Sequence, residues 1–259
     1  MQRVLFHSTV FGPIHSRRLG VSLGINLLPD DGKICSFDCL YCEAGFNAQG
    51  PGTTGFPSME RLAVDLRAKL TEMKEQESPL DVITFSGNGE PTLHPQFPEA
   101  VDIVTRLRDE FYPDARISVL TNSTRIDRPE TVEALRRADN AILKLDSAIT
   151  STMRLIDRPN SPEFTSERVI GYLENFGEKA IVQTMLLRGE YEGQIIDNTT
   201  PAEVEALVDA ILRIKPREVM LYTIDRPTPH TKLSKVSVDD LERVAGILRE
   251  RGIFVATAG

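Results

Sequence analysis

The sequence predicts an α/β fold, a partial (β/α)6 barrel, on three observations. Short apolar runs alternate with amphipathic stretches of helical period along most of the chain, the pattern of a parallel sheet with helices packed outside it. Most runs end in glycine or polar residues, where an α/β sheet carries its site-forming loops. At 259 residues the chain is long for one ordinary domain and suits a single large barrel with a sizeable core.

Residues 21–28 form the first apolar run, and Pro29-Asp30-Asp31-Gly32 breaks it. The segment 33–42 therefore follows directly on a strand. Glycine, proline and threonine dominate residues 46–57, a loop, until Ser58 caps a helix expected to reach about residue 77. The later strand runs are 81–85, 116–120, 141–145, 180–187 and 218–224, with helices between them at 96–111, 129–138, 166–175 and 201–214. With the first strand these make about six β/α units, two short of a full eight-fold barrel. A helix at 238–251 and an apolar run at 253–256 follow, with no linker or repeat dividing the chain. The expected organisation is one domain, with an extension over 1–20, the core barrel over 21–226 and a C-terminal extension over 227–259.

Hydrophobic residues make up 41% of the chain and charged residues 26%, ordinary for a globular protein, so disorder is not indicated. The net charge of -8 gives no global basic footprint for a nucleic-acid backbone. Residues 1–20 lack the apolar core of a signal peptide and no window approaches a membrane span, so a reducing cytoplasm is the expected compartment and no membrane the expected partner.

All three cysteines, Cys35, Cys39 and Cys42, fall within eight residues, spaced C-x3-C-x2-C. An odd set cannot close into disulfides and suggests one metal site. Two readings compete. Structural zinc wants a fourth protein ligand, here a histidine, whereas a 4Fe-4S cluster held by three cysteines leaves one iron open.

The strand ends supply the other candidates. After the second strand, Ser86-Gly87-Asn88-Gly89-Glu90-Pro91 is either a tight connection or a turn whose backbone approaches a ligand, with Glu90 able to accept from an ammonium group. Thr121-Asn122-Ser123-Thr124 suits a hydroxylated ligand or a helix start equally. Alternation puts Lys144 and Asp146 on one face of the fourth strand, as a structural ion pair or as ligand contacts. The fifth run supplies Gln183 and ends at Arg188, and the sixth ends at Asp225-Arg226; an arginine at such a mouth could clamp a carboxylate or phosphate. His94 and His230, each beside a proline, read as ordinary turn histidines.

The cysteine spacing, Tyr41 immediately before the last cysteine, and Gly87 to Pro91 one β/α unit downstream resemble the radical S-adenosylmethionine (SAM) superfamily over most of the chain. The resemblance implies that Cys35, Cys39 and Cys42 hold a 4Fe-4S cluster and that SAM chelates the open iron. It further implies that Gly87, Asn88, Gly89 and Glu90 hold the SAM amino group, that Asn122 and Ser123 lie near its ribose and Tyr41 near its adenine, and that Gln183 joins the cofactor-binding set. Asn88 stands where the family often has a second glycine. The implied activity is reductive cleavage of SAM to a 5′-deoxyadenosyl radical that takes a hydrogen from substrate, with Lys144, Asp146, Arg188, Asp225 and Arg226 the candidates for positioning that substrate.

Residues 11–20 and Ile156-Asp157-Arg158-Pro159 look like an iron-sulfur oxidoreductase branch related to the wyosine-forming tRNA enzymes. Those enzymes carry additional cysteines for a second cluster, and this chain has none to spare. The expected substrate is an RNA nucleoside or a small metabolite; the alternative is a protein or peptide, modified directly or activated with a glycyl radical. The expected partner is a flavodoxin- or ferredoxin-type electron donor, docked by some of Arg17, Arg18 and Lys33.

Overall fold

The computed structural model describes residues 3–16 and 19–259. Strand β1 (Val10–Ser16) pairs antiparallel with β2 (Gly20–Ile25). From β2 the sheet continues in parallel through β3 (Val82–Phe85), β4 (Arg116–Thr121), β5 (Asn140–Lys144) and β6 (Ala180–Tyr191). Strand β7 (Gln194–Asp197) turns back antiparallel on the end of β6, and β8 (Glu218–Thr223) pairs parallel with the body of β6. Strand β9 (Leu233–Lys235) lies antiparallel to the β6 extension, and β10 (Val255–Ala258) runs parallel to β8. The sheet curls into a half-barrel.

The connecting helices are α1 (Met59–Glu75), α2 (Phe97–Phe111), α3 (Pro129–Arg137), α4 (Thr150–Asp157), α5 (Ser166–Glu174), α6 (Pro201–Ile214) and α7 (Val238–Glu250). Their starts follow from local chemistry: the Ser58 hydroxyl accepts from Arg61 N–H at 3.2 Å, and Thr165, Thr200 and Ser237 cap α5, α6 and α7 in the same way. Along α1 the buried residues Leu62, Leu66, Leu70 and Met73 recur at helical spacing and face the sheet.

Alternation divides the strands into two faces. Leu23, Ile83, Val119, Leu143, Val182 and Leu221 point outward into the helix-packed core. Ile142, Ile181 and Met220 point inward and fill the base of the barrel. Above Ile142 and Ile181 come Lys144 on β5 and, opposite it, Gln183 on β6, while Tyr222 on β8 follows Met220 and lies opposite Met185, so the interior turns more polar toward the carboxyl ends.

All six expected strands are present, and two expectations need correction. The apolar run at 253–256 is not an appendage: β10 extends the sheet by a seventh parallel strand, anchored where Val219 N–H donates to Phe254 O at 2.9 Å. Strand β6 also runs past residue 187 to Tyr191, because β7 and β9 pair with its polar end. Helix α4 leaves no periodic signal in the sequence, because Met153 and Ile156 are the buried apolar residues among its eight, too short a stripe to define a period.

Candidate active site

The cysteine loop leaves β2 and is hydrogen-bonded on both sides. Ile34 N–H donates to Asn88 O at 3.1 Å, and Glu90 N–H donates to Ile34 O at 3.0 Å, a one-residue parallel bridge across Gly89. Both glycines of the turn have φ near +130°, and a Cβ on Gly89 would stand 1.9 Å from Ile34 O. On the other side Asp38 N–H donates to Asp157 O and Leu40 N–H to Ile156 O, both at 3.0 Å, while Asn160 N–H donates to Ser36 O at 2.9 Å. The two segments singled out in the sequence, 86–91 and 156–159, are thus the two walls that hold the loop.

The three thiols are free and partly exposed. Phe37 N–H and the Asn122 amide already point at Cys35 Sγ, at 3.5 and 3.6 Å. Such donors accompany cluster thiolates, so the donor set fits an iron-sulfur cluster held by Cys35, Cys39 and Cys42. Burial pushes the Cys35 thiol up to about 12 and Cys39 well above the usual thiol range. Neither thiol sheds its proton readily without a bound cation. Among the described residues no three His, Cys, Asp or Glu side chains are placed so that they could hold a single metal ion. His94 is engaged elsewhere, with Pro57 O and Gln96 N–H, and so is His230, with Glu190 O.

Beneath the loop lies a buried charged cluster. Lys144 Nζ bonds Asp146 and the Tyr41 hydroxyl, stands 3.1 Å from Asp157 Oδ1, and sits 4.6 Å from the centre of the Tyr41 ring. Burial opposes the charge on Lys144, but the Asp146 carboxylate beside it outweighs burial and holds the ammonium protonated. Burial raises the Asp157 carboxyl far above the usual range. Asp157 is not among the candidates that the strand ends supply, since it lies at the end of α4 in Ile156-Asp157-Arg158-Pro159 and reaches Lys144 only in the fold.

The turn residues are anchored to the surrounding fold. Glu90 accepts from Thr92 N–H and hydroxyl, from the Thr121 hydroxyl at 2.7 Å and from Asn122 N–H at 2.7 Å, tying the second strand end to the third; burial raises its pKa against these bonds. Asn88 accepts from Phe6 N–H and donates to Phe6 O, both at 2.9 Å, and to Pro29 O at 2.8 Å. Its amide thereby fastens the N-terminal segment over the barrel mouth, a role glycine could not fill. The Ser123 hydroxyl and the Gln183 amide nitrogen are buried with no hydrogen-bond partner among the described residues.

A cavity of about 310 Å³ opens at this mouth, where Tyr41 and Cys42 meet Gly87, Asp225 and Arg226, with Tyr222 and Met185 among its walls. Arg226 reaches it but is paired to Glu43 at 2.7 Å. Arg188 is not among the residues lining it: its guanidinium is taken by Asp240, Asp197 and Thr199. Lys33 corrects an expectation. It is 3% exposed, donates to Gly45 O at 2.7 Å and pairs with Asp38, so it closes the cysteine loop from within and offers no cation to a docking partner. Arg17 and Arg18 lie outside the described residues.

Three cysteines on a loop bridged to a glycine turn stand at the carboxyl ends of a curled parallel sheet, a half-barrel whose donor set fits an iron-sulfur cluster. The radical SAM superfamily model matches residues 31–200, and the chain belongs to that superfamily. Its enzymes use a 4Fe-4S cluster and SAM. A UPF0026 protein of Synechocystis is 32% identical over 85% of this chain and 77% of its own length. A Brachyspira hyodysenteriae protein named GTPase Obg is 28% identical over 90% of this chain, which spans 32% of that relative. Among solved structures, a radical SAM methyltransferase from Sphaerobacter thermophilus superposes with a TM-score of 0.65 at 18% identity, over 92% of this chain and 65% of that one. TYW1 with a bound lysine-pyruvate adduct gives 0.60 at 16% identity, over 88% and 73%. These two share the fold. Among the described residues no helix is long and apolar enough to cross a membrane.

Proposed function

We propose that this radical SAM enzyme abstracts hydrogen from an RNA nucleoside or a small metabolite held at the carboxyl-end mouth, taking its electron from a flavodoxin- or ferredoxin-type donor. When bound, the cluster and SAM supply the carbon radical; the chain binds, orients and excludes water. Cys35, Cys39 and Cys42 hold the cluster. The Gly87 to Glu90 turn, whose glycines let its backbone pack against Asn26 and Ile34, holds the SAM amino group, and the Ser123 hydroxyl and Gln183 amide, without a partner among the described residues, have hydrogen-bonding capacity to spare for cofactor or substrate. Tyr41, fixed by Lys144 and Asp146, forms one wall, and Asp225 and Arg226 form the opposite rim.

The observation that carries this reading is that Cys42 and Gly87 line one cavity, because their two loops are hydrogen-bonded through Ile34. Anaerobic reconstitution is expected to give iron-dependent visible absorbance and, on reduction, 5′-deoxyadenosine. Replacing any one of the three cysteines by alanine is expected to abolish both. Colourless protein with stoichiometric zinc would sink the proposal. For the substrate, host extracts are added to the 5′-deoxyadenosine assay: stimulation lost on RNase treatment supports RNA, stimulation that survives both RNase and protease supports a small metabolite, and loss on protease treatment favours the peptide alternative.

A further inference from the structure

A second cavity, of about 440 Å³, opens beside the cysteine loop, with Arg3, Glu43, Phe46, Gln49 and Arg226 in its lining. We infer that it is an oxyanion subsite, and that the substrate carries a phosphate seated between Arg3 and Arg226; this deepens the proposed function and rests on it. The class is a nucleoside phosphate, free or within a polynucleotide.

The charge balance argues for an anion. Two guanidiniums face one carboxylate here, in a chain whose net charge is -8. Arg3 Nη2 donates to Asp31 O at 3.0 Å and Nη1 to Gln49 O at 3.5 Å. Both acceptors are neutral carbonyls, which orient the guanidinium without cancelling its charge, and among the described residues no carboxylate pairs with it. Arg226 is held by Glu43, but their side chains are 62% and 42% exposed. An ion pair that open to water contributes little, and a phosphate offering two oxygens to the guanidinium replaces it readily.

Position argues for substrate. The outer cavity and the 310 Å³ cavity share Val4, Glu43 and Arg226 as their common wall. A molecule with its phosphate on the outer side of that wall extends inward past Arg226 toward Cys42 and Tyr41. The Phe46 ring supplies an apolar face to the outer cavity, with the Arg158 guanidinium 5.4 Å from its centre. Glu43 follows Cys42 directly, so a phosphate that takes Arg226 releases a carboxylate one residue from a cluster ligand.

The test is calorimetric titration of the anaerobically reconstituted protein with inorganic phosphate, uridine 5′-monophosphate and uridine at fixed ionic strength. The monophosphate is expected to bind about tenfold or more tightly than uridine, and phosphate to compete with it. Arg3→Gln should remove most of that advantage while leaving uridine unchanged, and Arg226→Gln should likewise remove most of the phosphate's contribution. Glu43→Gln should strengthen phosphate binding severalfold, a gain that a damaged fold cannot produce. A pentauridylate that binds about tenfold or more tightly than the monophosphate identifies a polynucleotide; equal affinity identifies a free nucleotide. The subsite is overturned if monophosphate and uridine bind alike or not at all, if neither arginine matters, or if acetate or an acidic peptide occupies the cavity and phosphate does not. Formation of 5′-deoxyadenosine without any uridine compound, measured in parallel, reports the radical chemistry separately.

Discussion

Single side chains in this protein are fixed by partners distant in sequence. His94 accepts from Gln96 N–H at Nδ1 and donates from Nε2 to Pro57 O, so the neutral ring satisfies both neighbours. Burial holds its pKa below the usual value. A depressed histidine pKa means the unfolded chain binds the proton more readily; its stabilisation is complete above the unfolded value near 6.5 and is lost as pH falls through the window beneath. The stability difference between wild type and His94→Gln, by urea unfolding, is expected to shrink between about pH 7 and pH 5. Lys144 is the second case. Lys144→Met keeps the volume but leaves Asp146 buried without its cation, and removing one partner of a buried pair costs about 3–5 kcal/mol. An unchanged urea midpoint would show that the cluster contributes nothing to stability.

At the scale of elements, the cysteine loop is a short irregular segment made rigid by bonding to two neighbours. Gly89→Ala introduces a side chain at φ +134° with its Cβ 1.9 Å from Ile34 O, a backbone atom with no freedom to withdraw. Strain of this kind is worth about 1–3 kcal/mol. Iron per chain after reconstitution should fall severalfold while circular dichroism stays near wild type; full iron content would mean that the bridge is dispensable. The N-terminal segment is a comparable device. Phe6 and Phe11 stack with ring centres 3.7 Å apart, and Phe11 fills the space above Gly24, where a Cβ would meet its ring at 2.1 Å. Asn88 secures the same segment, which brings Val4 and Phe6 to the cavity wall.

At the scale of the molecule, the parallel sheet from β2 to β10 sets the size of the mouth, and its last strand is an integral part. Deleting residues 253–259 removes Val255, buried against the core, and exposes the backbone edge of β8. The truncated chain is expected to melt several degrees lower and to aggregate on heating, read by differential scanning calorimetry and light scattering. An identical melting temperature would return β10 to the status of an appendage.

The sequence by itself determined the alternation of strands and helices, the cysteine triplet and the glycine turn, because periodicity, capping and ligand spacing are local properties. It also brought Lys144 and Asp146 together, since residues two apart on a strand share a face. Only the tertiary structure decided what those charges meet. Lys33 lies next to exposed-looking residues in the sequence yet points inward to Gly45 O; Glu43 meets Arg226 across 183 residues of chain. Asp157 joins Lys144 only because α4, too short to be read, ends against the cysteine loop. The reason is physical: a charge is stabilised by whatever the fold places within a few ångströms of it, and sheet closure, not sequence proximity, sets that company.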